Sequence, residues 1–128
     1  MGGTTQAAGT VGWLDLTVRD AESVRDFYRD VVGWTFEAQP MGDYEDFVMT
    51  HPDTGEPVAG VCHARGVNED LPAQWIPYVI VESLERSLVR CTALGGRVIR
   101  GPRGSASAPF AVVADPAGAV MALCQREG

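Results

Sequence analysis

A chain of 128 residues suits one compact domain, with its two halves expected to share a core rather than form separate domains. Its apolar fraction of 45% and charged fraction of 21% are those of a globular protein, and no apolar run approaches the ~18 residues that cross a bilayer. The formal charge of −7, with dispersed Arg and no Lys, argues against a nucleic-acid partner, because phosphate binding needs clustered cations. That charge fits plain solubility and leaves open a cavity that favours cationic ligands.

Residues 1–10 (MGGTTQAAGT) lack the basic and apolar regions of a secretory signal and read as a flexible lead-in, with the cytoplasm as compartment. Residues 12–18 alternate as a short strand. Asp20 offers an N-cap, Val24, Phe27, Tyr28 and Val31 fall at helical spacing, and Gly33 supplies the stop. Strands are predicted at Trp34–Gln39, Tyr44–Thr50 and Val58–His63, with turns at Pro40–Asp43 and His51–Pro57. Residues 64–74 (ARGVNEDLPAQ) carry a polar linker signature.

The second half repeats this order. Residues 75–81 form an aromatic and β-branched strand, and Ser83 caps a helix whose inner stripe is Leu84, Leu88, Cys91 and Leu94. Gly95 and Gly96 end it. Strands follow at Arg97–Gly101, Phe110–Ala114 and Ala119–Gln125. The small-residue segment Pro102–Pro109 reads as a loop, either a rim or lid over a cavity or a plain surface connection. The turn Pro52-Asp53-Thr54-Gly55 answers Asp115-Pro116-Ala117-Gly118 at an offset of 63. A repeat of this length marks two copies of one supersecondary unit. The expectation is therefore an α+β fold, two β-α-β-β-β modules whose curved mixed sheets form a ligand cup. Module one is 11–63, the linker 64–74 and module two 75–126, within a single domain 11–128. The three cysteines, Cys62, Cys91 and Cys124, have neither the even count of a disulfide framework nor CxxC spacing, and they sit in apolar contexts.

Several stretches together span nearly the whole chain: Leu16-Thr-Val-Arg-Asp20 ahead of Phe27-Tyr28-Arg29-Asp30, Val32-Gly33-Trp34, Val58-Ala-Gly-Val61, Ala93-Leu-Gly-Gly96 and Ala114-Asp-Pro-Ala-Gly-Ala119. In joint order and spacing they resemble the vicinal oxygen chelate superfamily, the glyoxalase/bleomycin-resistance/dioxygenase family. The resemblance implies paired modules around a cavity, commonly a homodimer with pockets at the subunit interface. It also implies a divalent metal held by His and Glu on inward strand positions.

Those positions are occupied by other residues here. The first ligand, normally His five residues before the strand valine, falls on Trp13; its counterpart in module two falls on Trp75 or Ile76. The final carboxylate falls on Ala122, just before Leu123, and the fourth position lies near Gly60 or Cys62. A rebuilt site from Asp15, Cys62 and His63 is conceivable but less favoured than local hydrogen bonding at strand ends, and His51 reads as hairpin chemistry.

Placing Trp where a metal ligand would stand changes a cavity from one that activates to one that holds. An indole offers a broad apolar face and one N–H donor. The expected ligand-binding residues are Trp13, Asp15, Phe47, Met49, His63, Trp75, Tyr78, Phe110 and Met121, with aromatic stacking walls and adaptable Met contacts. Filling the core is the competing role for these aromatics, and it is favoured for Phe27, Tyr28 and Phe36. The functional expectation is metal-free sequestration of a bulky, aromatic natural product, with no cofactor, no metal and no catalytic residue. The alternative is a small-molecule enzyme of the same superfamily, metal-dependent or using Asp15, Glu45 or Asp46 as general acid or base.

Overall fold

A computed structural model describes residues 6–105 and 108–127. Residues 1–5 of the expected lead-in, 106–107 of the expected loop and 128 lie outside the described residues. In chain order the elements are β1 (Val11–Val18), α1 (Ala21–Val32), β2 (Thr35–Pro40), β3 (Glu45–Thr50), β4 (Pro57–His63), β5 (Trp75–Val81), α2 (Leu84–Ala93), β6 (Arg97–Ser105), β7 (Ala108–Ala114) and β8 (Val120–Gln125). The fold is α+β, two β-α-β-β-β modules with mixed sheets. A 3-10 turn, Gly66–Asn68, lies within the polar segment 64–74.

The chain divides into two compact units, Leu14–Trp75 and a second made of residues 6–13 with 76–127. In the first, the strand order is β2-β3-β4-β1. β1 and β4 run parallel (Asp15 beside Gly60, Thr17 beside Cys62), and the other neighbours are antiparallel (Phe47 beside Val61, Phe36 beside Met49). Because strand side chains alternate, one face carries Phe36, Phe47, Met49, Ala59 and Val61, which pack with Ala21, Val24 and Tyr28 of α1. The other face carries Asp15, Thr17, Asp46, Val48, Gly60 and Cys62.

Helix α1 forms where its caps place it. The Asp20 carboxylate accepts from the Ser23 N–H at 3.2 Å. At the other end Gly33 adopts φ +89°, and its N–H donates to the Arg29 carbonyl at 3.0 Å.

In the second unit the strand order is β5-β8-β7-β6, with β5 parallel to β8. One face carries Tyr78, Ile80, Phe110, Val112, Ala122 and Cys124, paired Tyr78 to Ala122 and Phe110 to Cys124. The opposite face carries Val113, Met121 and Leu123, which line a cavity together with Cys91 of α2 and Leu94 just after it. The Ser83 hydroxyl caps α2 by accepting from the Arg86 N–H at 3.2 Å. Behind the helix Gly96 is required by space, since a Cβ there would meet Cys91 Sγ at 2.7 Å and the Ala114 carbonyl at 2.8 Å.

Two readings of the termini and loops change. Residues 9 and 10 are tied to β5: the Gly9 N–H donates to the Ile80 carbonyl at 2.7 Å, and the Ile80 N–H to the Thr10 carbonyl at 2.9 Å. The expected loop Pro102–Pro109 is mostly strand, with Arg103 beside Phe110 and Gly104 beside Pro109. Register shifts between Val98 and Arg103 admit Pro102, which cannot donate to a regular ladder.

Candidate functional site

The predicted site residues separate into groups that the alternation of strands explains. On β5, Tyr78 shares a face with Ile76 and Ile80, whereas Trp75, an odd number of residues away, takes the other side. Trp75 is accordingly a core residue of the unit Leu14–Trp75. Its Nε1–H donates to the Tyr28 hydroxyl at 3.0 Å, and its ring lies 5.2 Å from Tyr28 and 6.0 Å from Trp34. Phe47 and Met49 are likewise enclosed in the α1-facing core rather than on the face with Asp15. Met121 sits one residue from Ala122 and so faces α2. For these four, the packing of sheet on helix won over a place on the polar or aromatic face.

The structure brings Tyr78 and Phe110 together, with ring centroids 5.9 Å apart and planes at 48°. Both rise from the face that holds Ala122, which is fully buried and pairs with Tyr78. Trp13, half-buried, belongs to the same compact unit. Parity also settles the second-module ligand position: Ile76, not Trp75, lies on the face of Tyr78 and Ala122.

In the unit Leu14–Trp75 the polar residues gather around Cys62. Burial, most of all, pushes the Cys62 thiol well above its ordinary range, and the charges of Asp15 and Asp46 and a hydrogen bond to Asp46 add to the rise. The thiol is thereby held protonated, as a weak donor rather than a thiolate nucleophile. Asp46 Oδ1 also accepts from the His63 N–H at 2.8 Å and stands 3.5 Å from His63 Nδ1. His63 itself points to the α1-facing side, its ring 6.2 Å from Phe47 and 5.4 Å from Tyr44. Tyr44 and Arg65 were not predicted to matter. The Arg65 guanidinium lies 4.2 Å over the Tyr44 ring, a pairing of residues 21 apart that no local pattern announces.

The superfamily's metal finds no fitting donors. An indole donates only, Ile76 and Ala122 have no donor atoms, and the adjacent Cys62 and His63 alternate to opposite faces. Among the described residues no three His, Cys, Asp or Glu side chains are grouped to hold a metal ion.

The paired β-α-β-β-β modules, each with a helix on one sheet face, define the class: this is a vicinal oxygen chelate superfamily fold. The chain belongs to the glyoxalase-like domain family, whose model matches residues 13–124. It is 30% identical over 139 residues to the anthracycline biosynthesis protein DnrV of Streptomyces peucetius, covering 96% of this chain and 49% of that one. It is 27% identical over 123 residues to CFP32 of Mycobacterium tuberculosis (strain CDC 1551 / Oshkosh), whose name places it provisionally among the glyoxylases, covering 91% and 46%. The chain thus spans about half the length of these curated relatives. Among solved structures it resembles a methylmalonyl-CoA epimerase of Streptomyces coelicolor in complex with 2-nitronate-propionyl-CoA, with a TM-score of 0.59, 11% identity and coverage of 95% and 100%. At that identity the likeness is one of fold. No helix among the described residues is long and apolar enough to cross a membrane.

Proposed function

We propose that this protein binds and sequesters a bulky, aromatic natural product without a metal, as a cytoplasmic homodimer with pockets at the subunit interface. The observation that carries the reading is the Tyr78–Phe110 pair at 5.9 Å on the face of Ala122, where the superfamily would place a carboxylate ligand. Aromatic faces hold flat conjugated ligands by stacking and desolvation. Similarity to a protein named for anthracycline biosynthesis supports an aromatic polyketide-like ligand class.

The test is a thermal-shift screen of aromatic natural products, repeated after chelation, with metal analysis of the purified protein. Retention of an unchanged ligand, with quenching of Trp fluorescence and no effect of chelator, is the expected result. Stoichiometric Mn, Fe, Ni or Zn held by side chains would overturn the metal-free reading.

A second reading rests on Asp15 and Asp46 flanking the protonated Cys62. A carboxylate in such a half-buried place suits general acid–base chemistry on a small molecule. Turnover of the bound compound, abolished by Asp46→Asn and retained in Tyr78→Phe, is the result that would select the enzyme.

A further inference from the structure

The charge of −7 is divided unevenly along the chain. Residues 14–75 carry thirteen acidic side chains and four Arg, a net charge of −9. The remainder carries four acidic side chains and six Arg, a net charge of +2. The exposed large apolar side chains are concentrated too. Of the eight among the described residues, Phe27, Val31 and Val32 lie on α1, Val89 on α2 and Leu94 just after it.

On each helix the exposed positions fall into two neighbouring rows at a spacing of four residues. Helix α1 sets an apolar row, Phe27 (56% exposed) and Val31 (64%), beside an acidic row, Glu22, Asp26 and Asp30. Helix α2 sets Val89 (62%) and Ala93 beside a basic row, Arg86 and Arg90, which runs on into Leu94 (65%). The acidic row is partly neutralised. Arg29 is shared between Asp26 at 3.5 Å and Asp30 at 3.4 Å, and the largely buried Arg25 meets Asp26 at 3.0 Å. Glu22 keeps no cationic partner among the described residues, so α1 retains one negative charge in excess. Arg86 and Arg90 have no ion-pair partner among the described residues, and with Glu85 counted α2 retains one positive charge in excess.

The two faces are complementary, apolar row against apolar row and carboxylates against guanidiniums, and Arg is the side chain best shaped to hold a carboxylate. We propose that α1 of one copy docks on α2 of a second copy through these faces. Helix α2 covers the sheet face opposite Tyr78, so the contact leaves the Tyr78–Phe110 face free. It adds to the proposed homodimer rather than forming it, and it does not depend on the sequestration reading. Two short helix faces are smaller than a stable interface, so the contact is a weak one, with a dissociation constant of roughly 0.1–1 mM.

The test is sedimentation of the full chain from about 20 μM to about 0.5 mM, joined to amide chemical shifts over the same range. At low salt the mean mass should rise above its micromolar value, with concentration-dependent shifts at Phe27, Asp30, Val31, Arg86, Val89 and Arg90. Raising salt to about 0.5 M should weaken the association about threefold or more, whereas nonspecific contact between copies of a chain of net negative charge would strengthen as repulsion is screened. Arg86→Glu with Arg90→Glu, or Glu22→Arg with Asp30→Arg, should each weaken it about tenfold or more. An equimolar mixture of the two variants pairs opposite charges again and should associate as the native chain does, which also shows that both variants are folded. Glu56→Arg, in the exposed β3–β4 hairpin, should leave the association unchanged. A mass that stays at its micromolar value, reversed variants that associate like the native chain, or a mixture no tighter than either variant alone would each overturn the proposal. The micromolar mass tests the homodimer separately.

Discussion

At the scale of single residues, two tryptophans that look equivalent in the chain part company. Trp75 bonds to Tyr28 through its indole N–H at 3.0 Å and lies in the α1-facing core. Trp75→Phe should therefore lower stability by about 1–2 kcal/mol, one hydrogen bond and part of a ring contact, and leave ligand affinity unchanged. Trp13→Ala should do the reverse where it matters, costing a stacked ligand roughly 1–3 kcal/mol of binding. Denaturant unfolding and fluorescence titration of the two variants side by side separate the roles. Equal loss of affinity in both would remove Trp75 from the core account.

Cys62 gives a residue-scale prediction in pH. Unfolded, its thiol ionises near its ordinary value of 9.0; folded, burial and the carboxylates of Asp15 and Asp46 hold the proton to higher pH. Above 9.0 the folded state therefore binds more protons than the unfolded one. The Cys62 contribution is fully present below that pH and is lost as pH rises beyond it. Thermal unfolding from about pH 8 to about pH 10.5 should show a steeper fall for the native chain than for Cys62→Ala. Parallel curves would show that Cys62 ionises in the folded chain as freely as in the unfolded one.

At the scale of elements, the helices were legible because capping chemistry is local. Asp20, Gly33 and Ser83 stand where their side chains or backbone freedom predict them. The strands were legible in number and order, but which of the expected site residues share a face was not, because facing is a question of parity. Trp75 and Tyr78 are three residues apart on one strand, and a strand of period two separates them. Phe47 and Met49 share one parity and Asp46 the other, which sends the first two to α1. Contacts such as Tyr44 with Arg65 depend on the fold returning distant segments to one place, and no short-range pattern encodes that.

One tie of this long-range kind fixes α2. The buried Leu84 N–H, at the first turn of the helix, donates to the Gln125 side-chain oxygen of β8 at 2.9 Å. Gln125→Leu removes the acceptor and strands a buried donor, so a loss of about 1–3 kcal/mol is expected. Asp20→Ala, which removes only the solvent-exposed cap of α1, should cost about 1 kcal/mol. Chemical denaturation that ranks the Asp20 variant as the more damaging would mean that Gln125 is dispensable to α2.

At the scale of the molecule, the doubled module sets what one copy of the chain can do. The chain spans about half the length of the curated relatives it matches. The proposed homodimer rests on the Tyr78–Phe110 face, which by itself offers a flat ligand one pair of rings. Sedimentation at micromolar concentration should give twice the chain mass of 13.7 kDa, and ligand should strengthen the association. At a ligand concentration one hundred times its dissociation constant, the assembly should gain about 2.7 kcal/mol of stability. A chain that stays monomeric while binding its ligand at full affinity would place the pocket within one copy and remove the partner from the site.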